Sequence, residues 1–135
     1  MKIRNGFSNL MVLLLFVLTL LLLGGCVTAK QKLLDAGMQP LSNADLRSLF
    51  DEQRNATFTN QKSSGTIKYF PDGRQEATWN GGSGGGTFSI EEGKLCSKMD
   101  FRKGEVKCTT MFKVDEKTYE LIRADGSKDA TLTFE

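Results

Sequence analysis

The chain has 135 residues, with 18 lysines and arginines against 16 aspartates and glutamates, a formal net charge of +2, and no histidine. So small a net charge removes the electrostatic case for a nucleic-acid partner, and the lack of histidine excludes histidine-dependent catalytic triads. Lys2 and Arg4 are the only charges in residues 1–25, so residues 26–135 are evenly balanced, and their length suits one domain that buries roughly two thirds of its unfolded surface.

The first element is a basic start (Lys2, Arg4), followed by an apolar run from Leu10 to Leu23 and then Leu23-Gly24-Gly25-Cys26. Charged end, apolar stretch and small residues before a cut are the order of an export signal. A cysteine directly after the small residues resembles the lipobox of bacterial lipoproteins. That resemblance implies that residues 1–25 are removed and that Cys26 carries acyl chains. An uncleaved transmembrane anchor is the alternative, but the uninterrupted run of about 14 residues falls short of the roughly 20 needed to span a bilayer. Each buried methylene of an acyl chain adds about 0.8 kcal/mol of membrane affinity, so two or three chains tether the protein stably. Val27 follows the cysteine where an aspartate would favour the inner membrane. In a Gram-negative host the resemblance therefore implies the outer membrane, at its periplasmic face.

Residues 26–41 read as the lipidated N-terminus and a linker, since Val27 to Pro40 is polar with scattered leucines. Residues 42–135 read as a small β domain with an N-terminal helix. Ser42 or Asn43 can cap a helix, Asp45 suits its positive first turn, and Leu46, Leu49 and Phe50 fall on one side at helical spacing. The predicted helix covers 43–52 and is too short to persist without docking on a partner.

Beyond Arg54, turn signals recur at Pro71-Asp72-Gly73, Gly81 to Gly86, Glu92-Gly93, Lys103-Gly104, Asp115-Glu116-Lys117 and Asp125-Gly126. Between them apolar residues alternate, as in Ile67 and Tyr69; Phe88 and Ile90; Val106, Cys108, Thr110, Phe112 and Val114; Tyr119 and Leu121; and Ala130, Leu132 and Phe134. Period two with one apolar side describes half-buried strands. Strands are predicted near 56–60, 65–70, 75–80, 86–91, 94–99, 105–113, 117–123 and 129–134. Seven or eight short strands in meander order imply a mainly β fold, a small antiparallel up-and-down barrel capped or plugged by the helix, with a two-sheet sandwich as the alternative.

Cys96 and Cys108 remain as an even pair for an oxidising compartment. A five-residue hairpin loop, Asp100 to Gly104, pairs Met99 with Glu105 and sets Cys96 opposite Cys108, so a cross-strand disulfide is expected. A redox or metal-binding pair would want a C-x-x-C spacing or a histidine co-ligand.

The stretch Gly65-Thr66-Ile67-Lys68-Tyr69-Phe70-Pro71-Asp72-Gly73, with Trp79, Gly86-Thr87-Phe88, Leu95-Cys96 and Cys108, resembles a family of small exported bacterial proteins of unknown function. They share a Y-x-x-D-G turn, a G-T-W strand and two later cysteines; Phe88 stands where that tryptophan is usual. The resemblance covers residues 60–128 and implies a secreted, disulfide-closed β domain, without a reaction.

No catalytic constellation emerges. Gly81 to Gly86 lacks the Lys-Ser or Lys-Thr of a phosphate loop and reads as a flexible hairpin loop, or as a mobile lid over a barrel mouth. Glu91-Glu92 and Asp115-Glu116 are solvated turn carboxylates, and Asp125 to Asp129 lacks the spaced ligands of a calcium loop. The expectation is a non-enzyme without cofactor or metal, anchored to the bacterial envelope through Cys26. It acts as a structural or protein-interaction module that offers an unknown envelope partner an exposed strand edge or the glycine loop. The alternative is a barrel that binds a small apolar or amphiphilic ligand, with Tyr69, Trp79, Phe88 and Tyr119 as the candidate ligand or partner surface.

Overall fold

The computed structural model describes residues 25–135, so Lys2, Arg4 and the apolar run of the proposed signal lie outside the described residues. Helix α1 (Ala29–Asp35) and helix α2 (Asn43–Leu49) precede eight strands: β1 (Arg54–Thr59), β2 (Ser64–Tyr69), β3 (Arg74–Trp79), β4 (Gly82–Glu91), β5 (Lys94–Met99), β6 (Val106–Lys113), β7 (Thr118–Ile122) and β8 (Lys128–Phe134). A single 3-10 turn, Asp100–Arg102, links β5 to β6. The strands pair antiparallel in sequence order, and β8 returns to β1 with Phe58 opposite Leu132, which closes the barrel. Closure, rather than two stacked sheets, removes every free edge.

Helix α2 plugs one end. Ser42 accepts from the Asp45 amide while the Asp45 carboxylate accepts from the Ser42 amide, a reciprocal cap that starts the helix where the sequence suggests. The Ser42 bonds hold the Asp45 carboxyl below its ordinary range. Leu46 and Phe50 then project into the barrel and are buried with Tyr69, Tyr119 and Phe134. The Phe50 ring lies 4.9 Å from Tyr69 and 5.2 Å from Phe88, and Tyr119 meets Phe134 edge-on at 5.4 Å. These edge and tilted contacts are the geometry that aromatic quadrupoles favour. The result is a closed aromatic floor.

Three parts of the chain differ from the sequence expectation. Residues 27–40 are no free linker. Thr28 caps α1, Leu33 is buried against Phe112 and Ile122 on the outside of the barrel, and Pro40 bridges to Phe112. One apolar anchor in a seven-residue helix is too little for periodicity to reveal.

That helix explains the second difference. On β6 the side facing inward is Lys107, Thr109 and Met111, whereas Val106, Cys108 and Phe112 face outward. The expected apolar face of β6 is the wrong one, because α1 covers Phe112 and makes the outer side of that strand apolar.

Third, Gly82 to Gly86 belong to β4, and only Asn80-Gly81 turns between β3 and β4. Gly82 and Gly84 lie opposite Trp79 and Ala77 with their missing side chains toward the interior. A Cβ at Gly82 would sit 3.5 Å from the Trp79 ring, and one at Gly84 would sit 2.9 Å from the Phe101 ring. Aromatic rings fill the space that glycine leaves, which lets a glycine-rich segment hold a strand without apolar side chains of its own. A mobile glycine lid is therefore replaced by a paired strand.

Cys96 and Cys108 face each other on β5 and β6 and are bonded. Cys96→Ser is expected to lower unfolding free energy by about 2 to 5 kcal/mol and to expose one thiol more than the parent on denaturation. A urea melt combined with thiol counting checks both; an unchanged midpoint would mean that the bridge adds nothing to the hairpin.

Candidate functional site

With α2 closing one end, the barrel interior opens at the other, between the Asn60–Ser63 turn, the Phe101-Arg102 loop and Arg123. The cavity measures about 480 Å3, inside the roughly 300–1,000 Å3 range of small-molecule sites. Its wall is built by strand alternation: Ile67 from β2, Ala77 from β3, Leu95 and Met99 from β5, Leu121 from β7, and Ala130 and Leu132 from β8. Small side chains at Ala77 and Ala130 help to leave the space open. A set of eight bulky inward faces would have filled so narrow a barrel.

A polar belt crosses this apolar wall. Gln75 is 2 % exposed, and its Nε2 donates to the Thr87 carbonyl at 2.9 Å and to Ser97 Oγ at 2.6 Å. Those two bonds offset the cost of burying the amide and fix its rotamer. Thr109 is buried on the facing wall. Tyr69 reaches the cavity from the floor, and burial, aided by the nearby Asp129 charge, pushes its phenol well above the usual range. Tyr69 therefore stays protonated at any physiological pH and presents an O–H donor to the interior.

The mouth carries charge. Asp129 Oδ1 forms ion pairs with Lys107 Nζ at 2.5 Å and with Arg123 Nη2 at 2.9 Å, tying β6, β8 and the end of β7 together at the rim. A register shift at Leu121/Ile122 lies beside this triad, and such a bulge re-aims side chains at barrel rims. Arg102 follows Phe101 on the 3-10 turn, with its guanidinium 5.5 Å from the Phe101 ring centroid, and Phe101 in turn packs 5.1 Å from Trp79. Arg102 Nη1 is shielded from solvent and has no hydrogen-bond partner.

Of the four aromatic residues singled out from sequence, Tyr69 and Trp79 line the cavity. Phe88 and Tyr119 lie at the closed end: Phe88 packs on Phe50 and Tyr69, and Tyr119 on Phe134. Gln75, Arg102, Lys107, Arg123 and Asp129 were not anticipated. Polar residues in an alternating strand look like the solvent side, and only the parity of Lys107 with Met111 could have marked it as inward.

A second grouping lies on the outer wall, where Glu91, Cys96 and Cys108 bring potential metal-ligand atoms within 4.8 Å of one another. The sulfurs are joined as a disulfide, so neither offers the thiolate that metals bind. Only the exposed Glu91 carboxylate is then a competent ligand, and the cavity is the stronger candidate site. Cys26, the remaining cysteine, is exposed.

Among the described residues no helix is long and apolar enough to cross a membrane. The outer faces of the strands carry exposed Lys68, Glu76, Lys94 and Lys98, whereas a membrane-spanning barrel turns an apolar band outward. Comparison with family models, with curated proteins and with solved structures found no match to this chain.

Proposed function

We propose that this protein is a non-catalytic, lipid-anchored envelope protein whose barrel holds a small apolar or amphiphilic molecule. The observation that carries the reading is the cavity of about 480 Å3 left open in a barrel narrow enough to have been filled by side chains. Interiors normally pack with few voids larger than a water molecule, so an apolar space open at one end is a feature to be explained by what enters it.

The two means by which a structural module was expected to grip a partner are weakened. A closed barrel has no free strand edge, and the glycines are paired within β4. Interaction through a strand edge therefore gives way to ligand binding.

The anchoring part of the reading rests on the order of residues 1–26 and on the exposure of Cys26. Lys30 donates its amide to the Gly126 carbonyl at 3.0 Å, and Thr28 lies against Gly126 on the β7–β8 turn, which is at the open end. Cys26 is two residues away, within about 7 Å of extended chain. Acyl chains on Cys26 would thus hold the mouth, not the plugged floor, near the bilayer. A molecule leaving the membrane would meet the opening first.

Native mass spectrometry on the gently extracted full chain tests the reading. The expected spectrum shows an N-terminus beginning at acylated Cys26 and an additional non-covalent mass that is lost on denaturation. An intact, unacylated N-terminus overturns the anchor. A lipidated chain that retains no ligand, and that takes up none when offered apolar dyes or lipids, overturns the binding role and returns the search to protein partners.

A further inference from the structure

The cavity lining is charged unevenly. Lys62, Arg102, Lys107 and Arg123 contribute four cations at the mouth, against the single carboxylate of Asp129. Asp129 is already shared by Lys107 and Arg123. Asp100, Glu105 and Asp125 sit on the same rim turns, but none of them lines the cavity. The Arg102 group is the odd one: its Nη1 is shielded from solvent yet unpaired. A guanidinium N–H without an acceptor forfeits both its water and its hydrogen bond, a cost that native structures rarely leave uncompensated.

The groups are also layered. The apolar wall of Ile67, Leu95, Leu121 and Leu132 lies deeper, and the cations stand at the mouth beside Trp79 and Phe101. Such an order matches a molecule with an apolar body and an anionic end. Resting on the ligand-binding reading above, we infer that the ligand is a single-chain anionic amphiphile whose carboxylate is received by Arg102 at the mouth while its hydrocarbon chain lies in the barrel. The guanidinium fork supplies two parallel donors to a carboxylate. Arg102 Nη1 gains in the complex the acceptor that it lacks in the free protein.

Trp79 is the only tryptophan of the chain and borders the cavity, so it reports on occupancy. The full-length protein is held in nanodiscs of neutral lipid and titrated with ω-bromoundecanoate or with ω-bromoundecanol, whose bromine quenches indole fluorescence; empty discs correct for partitioning. Saturable quenching by both is expected, with the acid binding about ten-fold tighter or more, the margin of one charge-assisted hydrogen bond. Arg102→Gln should weaken binding of the acid about ten-fold more than binding of the alcohol, and so erase the preference. Arg102→Lys should retain part of it, and Lys103→Gln, an exposed neighbour outside the lining, all of it.

Equal affinity for acid and alcohol in the parent protein would overturn the anionic head group and leave the cavity reading standing. A preference for the acid that survives Arg102→Gln would overturn the role of Arg102. Absence of saturable quenching by either probe would defeat the binding reading itself, and this inference with it.

Discussion

Leu46→Asp is expected to bring the domain to the edge of unfolding. Leu46 is fully buried in the aromatic floor, where α2 inserts it beside Phe50 and Tyr69. Removing a buried leucine costs roughly 3 to 5 kcal/mol through lost transfer energy and the cavity left behind. The aspartate adds a carboxylate in an apolar site, which must either stay uncharged or drag the helix out into water. Small domains have only about 5 to 15 kcal/mol in total. Urea unfolding followed by circular dichroism should show the midpoint collapse, and Leu46→Ala should lie between variant and parent. A loss under about 1 kcal/mol for Leu46→Asp, typical of surface positions, would mean that α2 is not the plug described above.

Gly65→Ala is the second large effect expected, and it arises from a single methyl group. A Cβ at Gly65 would fall 1.9 Å from the Thr78 carbonyl oxygen and 2.9 Å from the Trp79 Cα, all backbone of the paired strand β3. Gly86 makes the same kind of approach to β5, with the Lys98 carbonyl oxygen 2.2 Å from its absent Cβ. Backbone cannot swing aside as a side-chain tip can. The β2–β3 ladder would have to separate locally, losing hydrogen bonds in addition to the about 1 to 3 kcal/mol of ordinary overpacking.

Gly84→Ala makes the control, since its nearest neighbour is the exposed Phe101 ring, which can rotate away. Differential scanning calorimetry should rank Gly65→Ala and Gly86→Ala well below Gly84→Ala in melting temperature. Equal melting temperatures would show that the barrel's curvature does not depend on close approach at those two corners.

The contrast between these glycines is also a contrast in legibility. A run from Gly81 to Gly86 carries no pattern of its own, and by local propensity it is a loop. It becomes strand because Trp79 and Phe101, from neighbouring segments, cover it. Tertiary contact overrides propensity here, and no window of sequence centred on the glycines contains both rings.

Much of the fold was readable all the same. Turn residues spaced about ten apart, with alternating apolar residues between them, mark eight strands within a residue or two, apart from the glycine end of β4, because side-chain direction in a strand has period two and hairpin turns need their own residue types. Even the disulfide follows from counting outward from the Asp100 to Gly104 loop, since antiparallel register is arithmetic once the turn is known. The number of short strands that would otherwise leave edges exposed favours a barrel over the alternative two-sheet sandwich, and the β1–β8 pairing decides between them.

What only the tertiary structure decides is which face of a strand looks inward and what the interior contains. On β6 the sequence offers apolar Val106, Cys108 and Phe112 on one face and Lys107, Thr109 and Met111 on the other. The first set is outside because α1 shelters Phe112 there; of the second, Lys107 and Thr109 line the cavity and Met111 is buried in the core. The site consequently includes a lysine and a threonine that sequence patterning assigns to solvent. Patterning records average burial along one chain segment, whereas a binding cavity is made by parity, small residues and long side chains drawn from all around the barrel. That convergence exists only after the strands have closed.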